Sequence, residues 1–232
     1  MRGYVAIGLL AVLLAAATVS MVVGSPTGRA DARLEVFNAT ITSVTSTGIV
    51  VEGVEGELVA RGRWVVVADV VKLCNWSVAS SYVGEGAALV AAVAVRRDNS
   101  TTYVLVALRQ GDVALLRPLL LRRAALAHRH TRIYMSVKGV LTSKGGNYMV
   151  LERGGRRVLA VVRGEWIKAG AGTVTWSDIQ GEFRVGDEVR IFCHHVLLVR
   201  PRLSRILGFN AIVWGYSGAI IDLSSGTTLS RA

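Results

Sequence analysis

The chain is poor in cysteine, histidine, lysine and aromatic residues, and each scarcity removes a class of function. Two cysteines, Cys74 and Cys193, exclude a disulfide-dense scaffold and a four-cysteine zinc site. They leave two readings, one bridge between them or two free buried thiols. The four histidines form two short pairs, His128 with His130 and His194 with His195. His128 and His130 have no acid or cysteine at a recognisable ligand spacing, and His194 and His195 would face opposite sides of a strand, so no metal site is expected. Only Lys72, Lys138, Lys144 and Lys168 of the 27 basic residues are lysine, an arginine preference that suits a thermophile. Aromatic residues are 6% of the chain, few for a protein that would stack successive bases of a single strand.

Motifs that carry chemistry are also missing. The sequence holds no Walker-type phosphate loop, dinucleotide fingerprint, nucleophile elbow or paired-histidine zinc motif, so no cofactor and no catalytic residue is assigned. Glu52, Glu55 and Glu57 cluster around one predicted turn and are the residues a cell-surface hydrolase would use as acid and base. The matching turn further on reads Arg153-Gly154-Gly155-Arg156-Arg157, of opposite charge, which fits two solvated hairpin tips better than a catalytic pair.

What is present begins with residues 4–23, twenty residues without a charge behind Arg2. At helical rise this length matches the hydrocarbon thickness, and the lone arginine favours a cytoplasmic N-terminus with the remainder outside. The expectation is an uncleaved anchor in the membrane, single-pass, with the bulk of the chain extracytoplasmic. A cleaved secretory signal is the alternative, with Thr18-Val19-Ser20 as its small-residue site. Asn38, Asn75 and Asn99 each head a glycosylation sequon, usable only if the chain is exported.

Charge is unevenly spread. Residues 1–116 carry nine basic and nine acidic side chains, whereas residues 117–232 carry 18 and seven, so the second part holds the entire net charge of +11. Such a bias suits an anionic partner. Arg117, Arg122, Arg123 and Arg129 concentrate it in residues 111–131, read as a basic linker. It reads as a solvated linker, with two alternatives: its apolar stretch packs across both flanking domains or lies on a membrane surface.

The main internal signal is a duplication. Arg61-Gly62-Arg63-Trp64 recurs as Arg163-Gly164-Glu165-Trp166, and Trp76-Ser77 as Trp176-Ser177. Val83-Gly84-Glu85 recurs as Val185-Gly186-Asp187, and Thr45-Ser46-Thr47-Gly48 as Thr142-Ser143-Lys144-Gly145. The order is kept, which predicts two tandem domains, 31–110 and 132–232, behind a leader and linker spanning 1–30. β-branched runs punctuated by turn residues predict strands at 34–44, 47–53, 56–70, 87–97 and 101–109. The second copy gives 132–142, 146–152, 156–162, 189–199 and 209–216. Residues 206–221 carry no charge but fall just short of a span, so they read as the last strand plus a closing segment.

Five strands, with the longest connection between the third and fourth, resemble an OB-type barrel in each copy. The expected fold class is therefore all-β, two small five-stranded OB-like barrels, with small β-sandwiches as the competing architecture. The resemblance implies ligand binding across the second and third strands and their loops. Trp64 and Trp166 read first as barrel plugs and second as a stacking surface for sugar or base. The functional expectation is a non-catalytic binding or envelope-assembly module whose partner is another envelope protein or an anionic polymer. An OB-type nucleic-acid-binding protein is the alternative.

Overall fold

The computed structural model describes residues 19–20, 31–97, 100–120, 122–123, 135–193, 196–213 and 218–232. Of the predicted span only Val19 and Ser20 fall among these; they pair antiparallel with Leu34 and Arg33, and the rest of 4–23 lies outside. No helix among the described residues is long and apolar enough to cross a membrane.

In the first half the strands are β1 (Asp31–Val44), β2 (Gly48–Val51), β3 (Glu57–Val59), β4 (Arg63–Val67) and β5 (Val71–Asn75). A single helical turn, α1 (Trp76–Ala79), precedes β6 (Gly86–Arg97), β7 (Ser100–Gln110) and β8 (Val113–Leu116). β1 pairs with β2, β2 with β3, β7 with β6 and β6 with β1, all antiparallel. One parallel pair, β3 with β7 (Leu58 opposite Tyr103), closes the ring. The result is a closed five-stranded barrel with extra strands, consistent with the OB-like topology expected from strand order. Ile41, Ile49, Leu58, Val90, Leu105 and Leu108 fill its interior. Burying each such side chain contributes roughly 1.5–3 kcal/mol.

Three expectations change here. The predicted strand 56–70 is two strands, because Ala60–Gly62 turns the chain out of the barrel into the β4–β5 hairpin, which pairs on to β8. The stretch 71–86, the long connection between the third and fourth predicted strands, holds β5 and α1. Val113–Leu116, assigned to the linker, is instead β8, with Ala114, Leu115 and Leu116 buried.

In the second half the elements are β9 (Met135–Gly145), β10 (Tyr148–Arg153), β11 (Arg156–Val161), β12 (Glu165–Lys168), β13 (Gly172–Thr175) and α2 (Trp176–Ile179). Then follow β14 (Glu188–Cys193), β15 (Val196–Leu198), α3 (Pro201–Leu207), β16 (Ala211–Val213), β17 (Ala219–Asp222) and β18 (Thr228–Arg231). β9 pairs with β10 and β14, and β10 with β11, antiparallel. β11 pairs parallel with β16, and β14 antiparallel with β17. Residues 206–221, expected as the last strand plus a closing segment, are divided among the end of α3, β16 and β17, with 214–217 outside the described residues.

Details recur between the halves. Both long first strands bulge, between Ile41 and Ser43 and between Leu141 and Ser143. Trp76 Nε1 donates to the Thr45 carbonyl at 3.0 Å, and Trp176 Nε1 to the Gly145 carbonyl at 2.9 Å.

What joins the halves is a third apolar cluster. α3, inserted between β15 and β16, buries Leu203, Ile206 and Leu207 against Ala91, Val106 and Ala107 of the first barrel's outer face and Val150 and Leu159 of the second half. This explains why β6, Gly-Ala-Ala-Leu-Val-Ala-Ala-Val-Ala-Val, is apolar without alternation: one face lines the barrel and the other lies under α3.

Candidate functional site

The tryptophans named as ligand platforms are both 0% exposed, which leaves no ring face for a sugar or base. Trp64 packs on Trp76 with ring centroids 5.5 Å apart and donates to the Ala60 carbonyl at 2.6 Å. The Arg117 guanidinium lies 5.1 Å over Trp64, a cation–π distance. Arg117 also donates to the Leu105 carbonyl at 2.7 Å and the Val59 carbonyl at 3.3 Å, bridging the parallel seam between β7 and β3. Burial pushes its pKa down. Arg117 is therefore built into the barrel. Arg231 stands 5.6 Å from the centroid of Trp166 and donates to the Arg163 carbonyl at 2.5 Å, a similar arrangement that no short repeat announced.

Of the linker arginines, Arg122 and Arg123 pair through their backbones with Leu198 and Leu197. Their side chains, Arg129, and all four histidines lie outside the described residues. Cys74 and Cys193 are both free, the second of the two readings their number left open. They belong to different cores, Cys74 packed against that of the first barrel and Cys193 within that of the second half. Burial pushes the Cys193 thiol up to about 11. Asn38 and Asn75 are exposed, and Asn99 is not among the described residues. Glu52 and Glu55 are exposed, whereas Glu57 accepts from the hydroxyls of Thr45 and Thr47, a turn-stabilising role.

Three concavities stand out. One of 580 Å³ is lined by Asn38, Thr40, Glu52, Ala87, Arg109 and Gly111, on the first barrel. Another, of 480 Å³, is lined by Lys138, Val140, Thr142, Glu152, Arg153 and Glu188. Asn38, Thr40 and Glu52 in the first occupy positions a hundred residues before Lys138, Val140 and Glu152 in the second. Both fall beside the bulged strand, on the first and fourth strands and the end of the second, where an OB resemblance directs attention to the second and third. Lys138 and Glu188 neutralise each other at 2.9 Å.

The third cleft, 530 Å³, lies between the halves. Its walls include Asp69, Asp112 and Arg109 from the first half and Tyr148, Arg157 and Gly208 from the second. Arg109 lines the first barrel's cleft as well, so those two concavities share a wall. Glu152 of the remaining cleft lies 4.0 Å from Arg157 Nε.

Backbone geometry sets this junction. The β9–β10 turn docks on the β4–β5 turn, with Gly146 N–H donating to the Asp69 carbonyl at 2.8 Å. The Asn147 side chain accepts from Val71 N–H at 2.6 Å and donates to the Val71 carbonyl at 2.8 Å, replacing two ladder bonds. Gly145 lets the turns meet: a Cβ there would stand 2.7 Å from the Asp69 carbonyl oxygen and 2.2 Å from the Tyr148 ring. On the other side Asn210 accepts from Arg157 N–H at 2.9 Å and donates its own N–H to the Arg157 carbonyl at 2.7 Å. Burial, then the negative charges of Asp69 and Asp112, hold the Tyr148 phenol above its usual range, so it is a neutral donor at neutral pH.

None of Arg109, Arg157, Asp69, Asp112 or Tyr148 is a site residue by sequence pattern; Arg157 reads only as part of a solvated hairpin tip. Comparison with family models, with curated proteins and with solved structures found no match.

Proposed function

We propose that the chain is a non-catalytic binding module, held at a membrane by residues 4–23 with its tandem OB-like units outside the cytoplasm, and that its partner is another extracytoplasmic polypeptide. The observation that carries the reading is the cleft between the halves. It is walled by both of them, its volume is in the range of ligand sites, and it presents charged groups of both signs. A uniformly anionic polymer would meet Arg109 and Arg157 but be repelled by Asp69 and Asp112, whereas a polypeptide can offer both signs. The uncharged run at 4–23 and the exposed Asn38 and Asn75 sequons support export.

The test is photocrosslinking in intact cells from a probe at Ser143, on the cleft wall, with a probe at the exposed Ser81 as control. A discrete polypeptide adduct from Ser143 alone, with the chain digested by protease added outside the cell, is the expected result. Protection of the chain from external protease, or identical adducts from both sites, would overturn the reading.

A further inference from the structure

The inter-half cleft is lined by two arginines and two aspartates. A Cβ built on Gly208, the left-handed C-cap of α3 (φ 76°), would meet Arg109 Nη1 at 2.7 Å and Arg157 Nη1 at 3.8 Å. Two guanidiniums therefore converge on one point. Among the described residues no carboxylate lies within ion-pair distance of Arg109, and the one near Arg157 is Glu152 at 4.0 Å. Arg109 Nε is held by the Gly111 carbonyl at 3.1 Å, which orients the group without neutralising it. The C-terminal end of α3 adds about half a negative charge, too little for two cations. Like charges brought together repel, and an anion accepting from both relieves that repulsion.

The two carboxylates of the same cleft are of opposite sign. Asp69 at the β4–β5 turn and Asp112 at the β7–β8 turn both act on the Tyr148 phenol, and no described cation pairs with either carboxylate. They favour an ammonium or a guanidinium.

We propose that the cleft recognises a peptide segment presenting one acidic and one basic group, the acid seated on Arg109 and Arg157 and the base on Asp69 and Asp112. Charge selects this class. An acidic saccharide or inorganic phosphate would neutralise the arginines alone, leaving two carboxylates uncompensated in a partly desolvated cleft. A segment with both groups neutralises both pairs. The inference rests on the binding reading above and adds the chemistry of the ligand to it.

The experiment uses the full chain in detergent and isothermal titration with three blocked tripeptides, Lys-Gly-Glu, Lys-Gly-Gln and Gln-Gly-Glu, and with inorganic phosphate. Lys-Gly-Glu should bind at least about tenfold tighter than either singly charged peptide. R109Q with R157Q should abolish the preference for Glu over Gln, and D69N with D112N the preference for Lys over Gln. Circular dichroism of each variant reports whether the fold is retained. Phosphate or Gln-Gly-Glu binding as tightly as Lys-Gly-Glu, undisturbed by D69N with D112N, would reduce the cleft to an anion site and overturn the proposal. So would the absence of binding by every tripeptide at millimolar concentration. A specific Ser143 crosslink surviving that failure would leave the binding reading standing with a different ligand, whereas loss of both would remove the two together.

Discussion

Residues that pattern reasoning marks as conspicuous prove to be internal, and the ones that face the cleft are inconspicuous. Trp64 and Trp166 are large and placed in a repeated motif, yet each is wholly buried beneath an arginine. Arg109 sits in an ordinary strand and reads like any solvated cation. The cysteines carry the clearest pH consequence at this scale. Cys193 is fully buried and its thiol is raised from 9.0 to about 11. Between those values the unfolded chain releases the proton while the folded one keeps it, so stability is intact below pH 9.0 and is lost as pH rises towards 11. The urea midpoint should therefore fall more steeply across that window in the native sequence than in Cys193→Ala. Equal slopes would show that Cys193 ionises normally in the fold.

At the scale of elements, α3 decides the most and was missed. Its signals are present: Pro201 at the first turn and Gly208 at the C-cap, around an apolar stripe of Leu203, Ile206 and Leu207. A charge-free run that continues through Ile221 hid them, because such a run reads as one strand or a span. Gly208 has φ 76°, where an L side chain costs about 1–2 kcal/mol. Gly208→Ala should lower stability by roughly that amount, and it should displace Arg109, whose Nη1 stands 2.7 Å from the new methyl. Thermal unfolding checks the first effect. An unchanged midpoint would mean that the helix does not end in the left-handed conformation. The β4–β5 hairpin and α1 were hidden for another reason: short strands interrupted by polar residues lack a clean period of two.

For the whole molecule the apolar cluster shared by α3 and both halves predicts one cooperative transition, not two. Asn147 tests that coupling. Its side chain satisfies both Val71 backbone groups, and Arg163 reaches only the Val71 carbonyl, at 3.0 Å. Asn147→Ala leaves the Val71 N–H without its partner, for a loss of about 1–3 kcal/mol. Because that loss falls on the junction, the calorimetric peak should broaden or split. A sharp peak with an unchanged midpoint would show that the halves cohere through the apolar cluster alone.

The sequence by itself determined the strands that form the first half's five-stranded ring. β-branched runs, turn residues and the period of two specify each segment locally, and strand order points to a five-stranded ring. It also determined the correspondence of short motifs between the halves and the apolar leader, each readable within a few neighbouring residues. Only the tertiary structure decided which side chains share the cleft. Asp69, Arg109, Asp112, Tyr148 and Arg157 come from separate elements of both halves, and they share a cleft because α3 and the Asn147 contact bring two outer faces together. No local pattern encodes that juxtaposition, since it depends on packing between segments distant along the chain.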